Sequence, residues 1–461
     1  MKLIQFIKNG YLKLIFFLVI TSVTWVNFNH VFWENQHVIE HDVNQYYSYL
    51  PAFFYEKDLT LNFLNDTINQ KIETRYYQPN KTTNNKLIIK MSMGMAISYL
   101  PFFTVAHFYC KLFNIPANGF SPPYHFALQF STLIYFLIGL FYLWKVLLNY
   151  FNKSVSTITL LLICFATNVF FYLTFKAALS HIIGFTGIAM FLFYLIEWHK
   201  TPNYKTSIKL GLLIGFLTLV RPINILIVLI FVLYNVTTLK DLKNKIIFFW
   251  KLKTQILTLS LFAFIIVLPQ LIYWKTITGS YFFNSYINER FYFFNPHIFK
   301  ALFGFRKGWF IYTPIMLFSI IGIIQLFKTN KNLILMLSVF LCIYIYVAFS
   351  WWCWWYGGSF SQRVMIDVYP ILAIPLAAFI NYVFKLSSYK KAVFIGLFIG
   401  LTLLNLFQTT QAKFNIIHYD SMTFESYIKS FGVITNNNEI KKLYKTPDYE
   451  NALKGIEERG E

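Results

Sequence analysis

Apolar runs of about twenty residues recur along the chain, the length that spans a bilayer as a helix. They lie near 14–26, 91–110, 125–148, 155–175, 180–197, 208–236, 255–273, 309–327, 333–350, 364–384 and 392–410. The runs are long and do not alternate, so they do not fit the strands of a barrel. The expected fold is an all-α polytopic membrane protein with about eleven transmembrane helices. Polar residues collect between the runs, and one polar interval, 30–90, is far longer than the rest.

Composition agrees with this pattern. The chain is 57% hydrophobic and 13% charged, where soluble chains have about 25% charged residues. The net charge of +21 would suggest nucleic acid on a soluble protein. Here Lys and Arg sit between apolar runs, where they set topology and meet anionic headgroups, so nucleic-acid binding is set aside. Cys110, Cys164, Cys342 and Cys353 lie in or beside apolar runs, with neither metal-ligand spacing nor a disulfide framework.

The positive clusters give sidedness. Lys2, Lys8 and Lys13 precede the first run, and no small-residue cleavage site follows it. Residues 1–29 therefore read as a retained signal anchor with a cytoplasmic N-terminus. Lys240, Lys243, Lys245, Lys251 and Lys253 mark another inner interval, as do Lys328 with Lys331, and Lys385 with Lys390 and Lys391. Four units follow: the anchor 1–29, a first outer loop 30–90, a multi-helix domain 91–410 and an outer tail 411–461. The domain carries outer loops at 274–308 and 351–363. The tail is too short for a large second domain. Two choices stay open. Segment 91–122 either spans once or folds back, and 208–236 is either one helix or two short ones meeting at Arg221-Pro222. The second choice in each pair puts Lys200, Lys205 and Lys209 inside, and His181 and Arg221 on the outer face. The site is thus expected on the outer (periplasmic) face of the cytoplasmic (inner) membrane.

Acidic residues are scarce enough for elimination to help. Between Arg75 and Lys240 only Glu197 is acidic, and between Lys243 and Ala412 only Glu289 and Asp367. Glu197 stands beside Trp198 and His199 at an inner end, where an interfacial role is expected. An outer general base must come from the first loop, Glu289, Asp367 or the tail. Asp42 is the leading candidate. Asp42, Gln45, Tyr46 and Tyr49 share one face if their segment is helical, and Pro51 is expected to end or kink that helix. Asp42-x-x-Gln45 is also a capping-box pattern, so helix capping is the competing role.

Other candidates carry recognition chemistry. Residues 350–363 hold a Trp-rich run, Gly357-Gly358-Ser359 and Arg363. Trp355 and Tyr356 suit a sugar face or a lipid chain, Gly358 and Ser359 allow close approach, and the Arg363 fork suits phosphate. An aromatic belt is the plainer reading, with Arg363 paired to Asp367 four residues on. Arg221 is a lone cation in an apolar stretch, suited to a lipid phosphate or to snorkelling. His181 is a weaker candidate, and Glu289 is expected to pair locally with Arg290. The chain has no P-loop, no His-Glu-x-x-His, no Gly-x-Ser-x-Gly and no Cys-x-x-Cys.

These elements together resemble the GT-C superfamily of membrane glycosyltransferases. The likeness is to the branch with protein O-mannosyltransferases and bacterial aminoarabinose transferases. It rests on Asp42 with Tyr46, Tyr49 and Ala52, on Lys90 to Met95 leading to Leu100-Pro101-Phe102-Phe103, and on Gly211, Gly215 and Arg221-Pro222. It continues through Gly308-Trp309-Phe310-Ile311-Tyr312-Thr313-Pro314 and Trp355 to Arg363. The family's first-loop acid is often one of a pair, whereas Val43 follows Asp42. Many relatives have Lys-Gly-Pro where this chain has Arg221-Pro222-Ile223.

The resemblance implies a polyprenyl-phosphate sugar donor and a glycan, lipid or protein acceptor. It implies inversion with Asp42 as base and Arg221 and Arg363 on the leaving phosphate, while Glu289 is the second acid candidate from the elimination above. Tyr46, Tyr49, Lys90, His181, Trp355, Tyr356, Gly358 and Ser359 would contact substrate. No cofactor or obligatory metal is implied. The alternatives are a transporter of lipid or lipid-linked glycan, or a surface-glycan polymerase or ligase.

Overall fold

The computed structural model describes residues 10–65, 77–435 and 437–456. Lys2 and Lys8 of the expected anchor lie outside the described residues. So do 66–76 of the first loop, and 436 and 457–461 of the tail. The chain is mostly helical. Among the described residues the named strands are β1 (Asn80–Lys81) and β2 (Leu87–Ile88), an antiparallel pair in the first loop.

The first long helix is α1 (Gly10–His30). The first loop then forms α2 (His41–Tyr47) and α3 (Tyr49–Phe54). The break comes at Ser48 and not at Pro51, which corrects the sequence expectation. Pro51 lies in the first turn of α3, where backbone N–H groups have no helical acceptor, so its missing N–H does no harm. Next come α4 (Gly94–Leu112), α5 (Pro122–Leu147), α6 (Lys153–Phe165), α7 (Val169–Thr174) and α8 (Ser180–Lys200). Then follow α9 (Tyr204–Val220), α10 (Ile227–Leu233), α11 (Leu239–Lys251) and α12 (Lys253–Thr278). The second half holds α13 (Ile298–Phe303), α14 (Trp309–Tyr312), α15 (Met316–Thr329) and α16 (Ile334–Phe349). It ends with α17 (Tyr369–Val383), α18 (Ser388–Lys413) and three short tail helices, α19 (Phe424–Ser430), α20 (Asn438–Lys441) and α21 (Tyr449–Leu453).

Among the described residues, 7 helical stretches are long and apolar enough to cross a membrane. They are Gly10–His30, Pro122–Leu147, Ser180–Lys200, Lys253–Thr278, Lys331–Phe349, Arg363–Val383 and Ser388–Lys413. Of the other four expected spans, 91–110 forms α4, which is not among these seven, and three are broken into shorter helices, 208–236 as its two-helix alternative has it. The runs at 208–236 and 309–327 break beside a proline, which pushes the residue before it out of the α region. Arg221 is extended at φ −154, ψ 123, and Thr313 leaves the helix at φ −137, ψ 58. The run at 155–175 divides between α6 and α7. The lysine cluster after residue 239 forms α11, which has no buried residue and starts with a Thr238–Asp241 capping box.

The long helices are alike in apolarity but not in position. Arg363–Val383 is almost wholly buried, so it is the axis of the bundle. α12 and α18 expose most of their apolar surface, including Leu257, Leu261, Phe264 and Leu403. Apolar surface of that extent is stable in lipid and not in water. α9 packs along α12, α5 along α8 and α15 along α17. The α9–α12 seam depends on Gly211 and Gly215. A Cβ on either would overlap the α12 backbone at Leu259 or Ala263. Gly215→Val is expected to lower stability in detergent by about 1–3 kcal/mol through overpacking. Gly396→Val, on the open face of α18, should leave the melting temperature unchanged. Equal melting of both variants would show that the seam is slack.

Candidate active site

Asp42 enters the site from the first turn of α2. The N-cap of that helix is Glu40, at φ −135, ψ 159, and it makes no side-chain cap hydrogen bond. Asp42 is therefore not a capping residue. Its Oδ2 lies 2.8 Å from Arg363 Nη2, and the Asp42 side chain is 31% exposed. Burial pushes the Asp42 carboxyl up. The charge and hydrogen bond of Arg363, helped by Lys90, outweigh that and hold it below the usual carboxylate value.

Arg363 opens a 3₁₀ turn, Arg363–Val368. The competing role for Arg363, an ion pair with Asp367, assumes α-helical spacing. With three residues per turn the two point in different directions, and the pair does not form. Asp367 instead turns to the start of α8 and the end of α9. It is fully buried, with Oδ1 2.8 Å from His181 Nδ1 and 3.8 Å from Arg221 Nη1. Its Oδ2 accepts a 3.3 Å hydrogen bond from Asn224 Nδ2. Gly184, one turn along α8 from His181, makes room: a Cβ there would come within 2.7 Å of the Asp367 carboxylate.

His181 Nδ1 is also 2.8 Å from Arg221 Nη1. One ring nitrogen thus faces a donor and an acceptor. With its proton there it donates to Asp367; with the proton on Nε2 it accepts from Arg221. The Arg221 guanidinium lies 5.6 Å from the centre of the Tyr356 ring.

A third pair closes the near side. Lys90 Nζ is bonded to Glu289 Oε1, and the Trp352 indole N–H donates to Glu289 Oε2 at 3.1 Å. Lys90 also lies 5.1 Å from the centre of the Tyr286 ring. Glu289 was expected to pair with its neighbour Arg290; its partner is 199 positions away.

Asp42, Arg363, His181, Arg221, Lys90 and Glu289 line a cavity of about 690 Å³ that also takes in Tyr46, Trp351 and Tyr449. A second cavity of about 560 Å³ lies on the other side of Asp42, walled by His37, Glu40, His41, Lys176, Gly358 and Tyr419. Asp42, Gly357 and Arg363 line both. The backbone is strained around this partition. His41, Tyr356 and Ser361 hold left-handed φ of 50, 55 and 55, each costing about 1–2 kcal/mol. Such strain persists where surrounding contacts fix the geometry, and it gathers at functional sites.

No protein-family model matches this chain, and no curated protein matches it. Among solved structures, the apo crystal structure of the Archaeoglobus fulgidus oligosaccharyltransferase is similar, at a TM-score of 0.48 and 14% identity. The match covers 95% of this chain and 60% of that one, so the chain spans about three-fifths of that enzyme's length. At that score and identity the likeness assigns neither activity nor substrate.

Of the residues singled out in the sequence, Asp42, Tyr46, Lys90, His181, Arg221, Glu289, Tyr356 and Arg363 come together at the first cavity, and Gly358 reaches the second. Three do not line either. Tyr49 donates to the Met91 carbonyl at 2.7 Å and faces a separate apolar groove of about 600 Å³ between α3, α4 and α12. Trp355 is buried, and its indole N–H donates to Tyr449 Oη at 3.3 Å. Ser359 is buried, and its carbonyl accepts from Lys307 Nζ. Both are pulled inward by partners far away in sequence. Asp367, a candidate base in the sequence, and Trp352, part of the Trp-rich run, join the site as supports of Arg221 and Lys90. Asn224, Tyr286 and Tyr449 join it with no role attached to them in the sequence. Among the described residues, no group of three His, Cys, Asp or Glu side chains is placed to hold a metal.

Proposed function

We propose that this protein is a GT-C-type glycosyltransferase that moves a sugar from a polyprenyl-phosphate donor to an acceptor hydroxyl at the outer face of the cytoplasmic membrane. One observation supports this above the rest. Asp42 stands in the wall between two cavities, and the larger one gathers Lys90, Arg221 and Arg363 among aromatic side chains. The donor would occupy the larger cavity with its phosphate among the cations, and its chain would leave by the apolar groove at Tyr49. The acceptor would enter the smaller, polar cavity. Its oxygen attacks the anomeric carbon from the face opposite the phosphate as its proton passes to Asp42. The bond from that carbon to the phosphate oxygen breaks, its electron pair stays on the phosphate, and the centre inverts. Arg221 and Arg363 stabilise the charge that develops there. Glu289, fixed between Lys90 and Trp352, positions a cation and is not the base.

The test is product analysis in membranes given labelled polyprenyl-phosphate sugars, wild type against Asp42→Asn at equal expression. Transfer by wild type alone supports the reading. Lipid movement without transfer by either protein would favour a transporter.

The Asp42–Arg363 pair adds a pH prediction. Arg363 holds the Asp42 carboxyl down, so Arg363→Gln raises it. A base works ionised, so the acid limb of kcat/KM should move to higher pH, while Arg363→Lys, which keeps the charge, should move it less. A limb that stays in place would remove Arg363 from control of the base.

A further inference from the structure

The outer tail does not hang free of the cavity. Tyr449, the first residue of α21, lines it beside Trp352. The Tyr449 ring meets Trp352 at 6.3 Å and 65°, and Trp355 at 5.3 Å and 77°. The three rings form an edge-to-face corner. Tyr449 has no hydroxyl to spare: it donates to Asp420 Oδ2 at 2.7 Å and accepts from the Trp355 indole. What it offers the cavity is ring surface.

Several contacts hold the tail in this position. Asp420 is buried, and its Oδ1 accepts from Ser421 Oγ at 2.7 Å. Its carbonyl accepts from Arg306 Nη1 at 3.0 Å, which ties the tail to the loop before α14. Tyr292 Oη donates to the Leu453 carbonyl, and Lys445 N–H donates to the Ser421 carbonyl at 2.9 Å. Trp352, the other face of the corner, is one carboxylate removed from Lys90 through Glu289.

An aromatic corner in a cavity that also holds Lys90, Arg221, Arg290 and Arg363 can meet two parts of one molecule. The cations suit phosphate. The ring faces carry negative quadrupole charge and suit the weakly positive C–H face of a pyranose. We infer that Tyr449 and Trp352 form the sugar-binding platform of the donor site, and that the tail sets sugar selectivity by carrying Tyr449 into the cavity. This rests on the glycosyl-transfer reading above. Tyr449 is a substrate-contacting residue; Asp420 and Trp355 position it.

The competing possibilities are that the corner grips the prenyl chain, or that it only braces the tail. Binding by the full chain in detergent separates them, with farnesyl phosphate and a panel of its hexosyl and pentosyl esters as probes. Wild type should bind at least one glycosyl ester more tightly than farnesyl phosphate. Tyr449→Ala should lose that preference, a loss of about fivefold for one stacked ring, while affinity for farnesyl phosphate stays within about twofold. Tyr449→Phe keeps the ring and should keep most of the preference. The unchanged farnesyl phosphate affinity also certifies that the variant is folded. An equal loss for both probes in Tyr449→Ala, or an unaltered preference, overturns the platform. If Tyr449→Ala cannot be isolated, Tyr449→Leu with Trp352→Leu reads the same ratio. Wild type that transfers sugar yet prefers no ester sinks the platform alone. Wild type that neither transfers sugar nor binds any ester sinks the glycosyl-transfer reading and the platform with it.

Discussion

Asp42→Asn should lower the turnover number about 10²–10⁴-fold, the usual range for losing a general base. The substitution keeps the shape of the side chain and removes its capacity to take a proton. It also releases Arg363, which in the free protein is held by the Asp42 carboxylate at 2.8 Å. The guanidinium then has more to offer an incoming phosphate, so the KM for donor should stay level or fall. That combination distinguishes a base from a structural ion pair. A structural pair, once broken, would lower the melting temperature and raise KM, with little change in turnover. Steady-state kinetics and thermal melting on the same preparations decide between them. A turnover within about threefold of wild type would take Asp42 out of the chemistry.

The second large effect is expected at Asp367, which lines neither of the two cavities at Asp42. Its carboxylate is fully buried and answers Arg221 and His181 together. Asp367→Asn leaves the Arg221 cation without its carboxylate, and removing one partner of a buried pair costs about 3–5 kcal/mol. Arg221 is 15% exposed and borders the cavity, which places the loss near the lower end of that range. Two readouts should move together. The melting temperature falls, and KM for donor rises about tenfold as Arg221 loses its orientation. Gly184→Ala pushes on the same carboxylate from α8 and should act in the same direction. Normal stability and KM in Asp367→Asn would mean that Arg221 is oriented by Tyr356 and His181 alone.

The sequence made the membrane helices legible because a spanning helix needs only length and apolarity, both of which a single chain displays. It marked Asp42 by its place early in the first outer loop, on one helical face with Gln45, Tyr46 and Tyr49. It misplaced partners wherever the pairing depends on tertiary contact. The alternative role of Arg363, a pair with Asp367, assumes α-helical spacing, and a 3₁₀ turn sets the two apart. Glu289 was matched to its neighbour, and the fold gave it Lys90. The tail lacks an apolar run, so the sequence shows nothing that ties it to the site. One tyrosine brings it to the cavity, and hydrogen bonds to loops more than a hundred residues earlier hold it, such as Arg306 to the Asp420 carbonyl. Trp355 and Trp352 are equivalent on paper; only packing decides that one faces the cavity and the other faces the protein.

The glycine seam has a consequence for the membrane itself. α12 is one of the two least buried of the long apolar helices, and α9 is fastened to it at Gly211 and Gly215. Arg221 stands at the end of α9. A bilayer of different thickness changes the tilt of a lipid-facing helix at small energetic cost. Because the two helices cannot slide past each other at their glycines, such a tilt is carried along α9 to the Arg221 guanidinium. The Arg221 charge thus rides on a helix fastened to one of the two least buried of the long apolar helices.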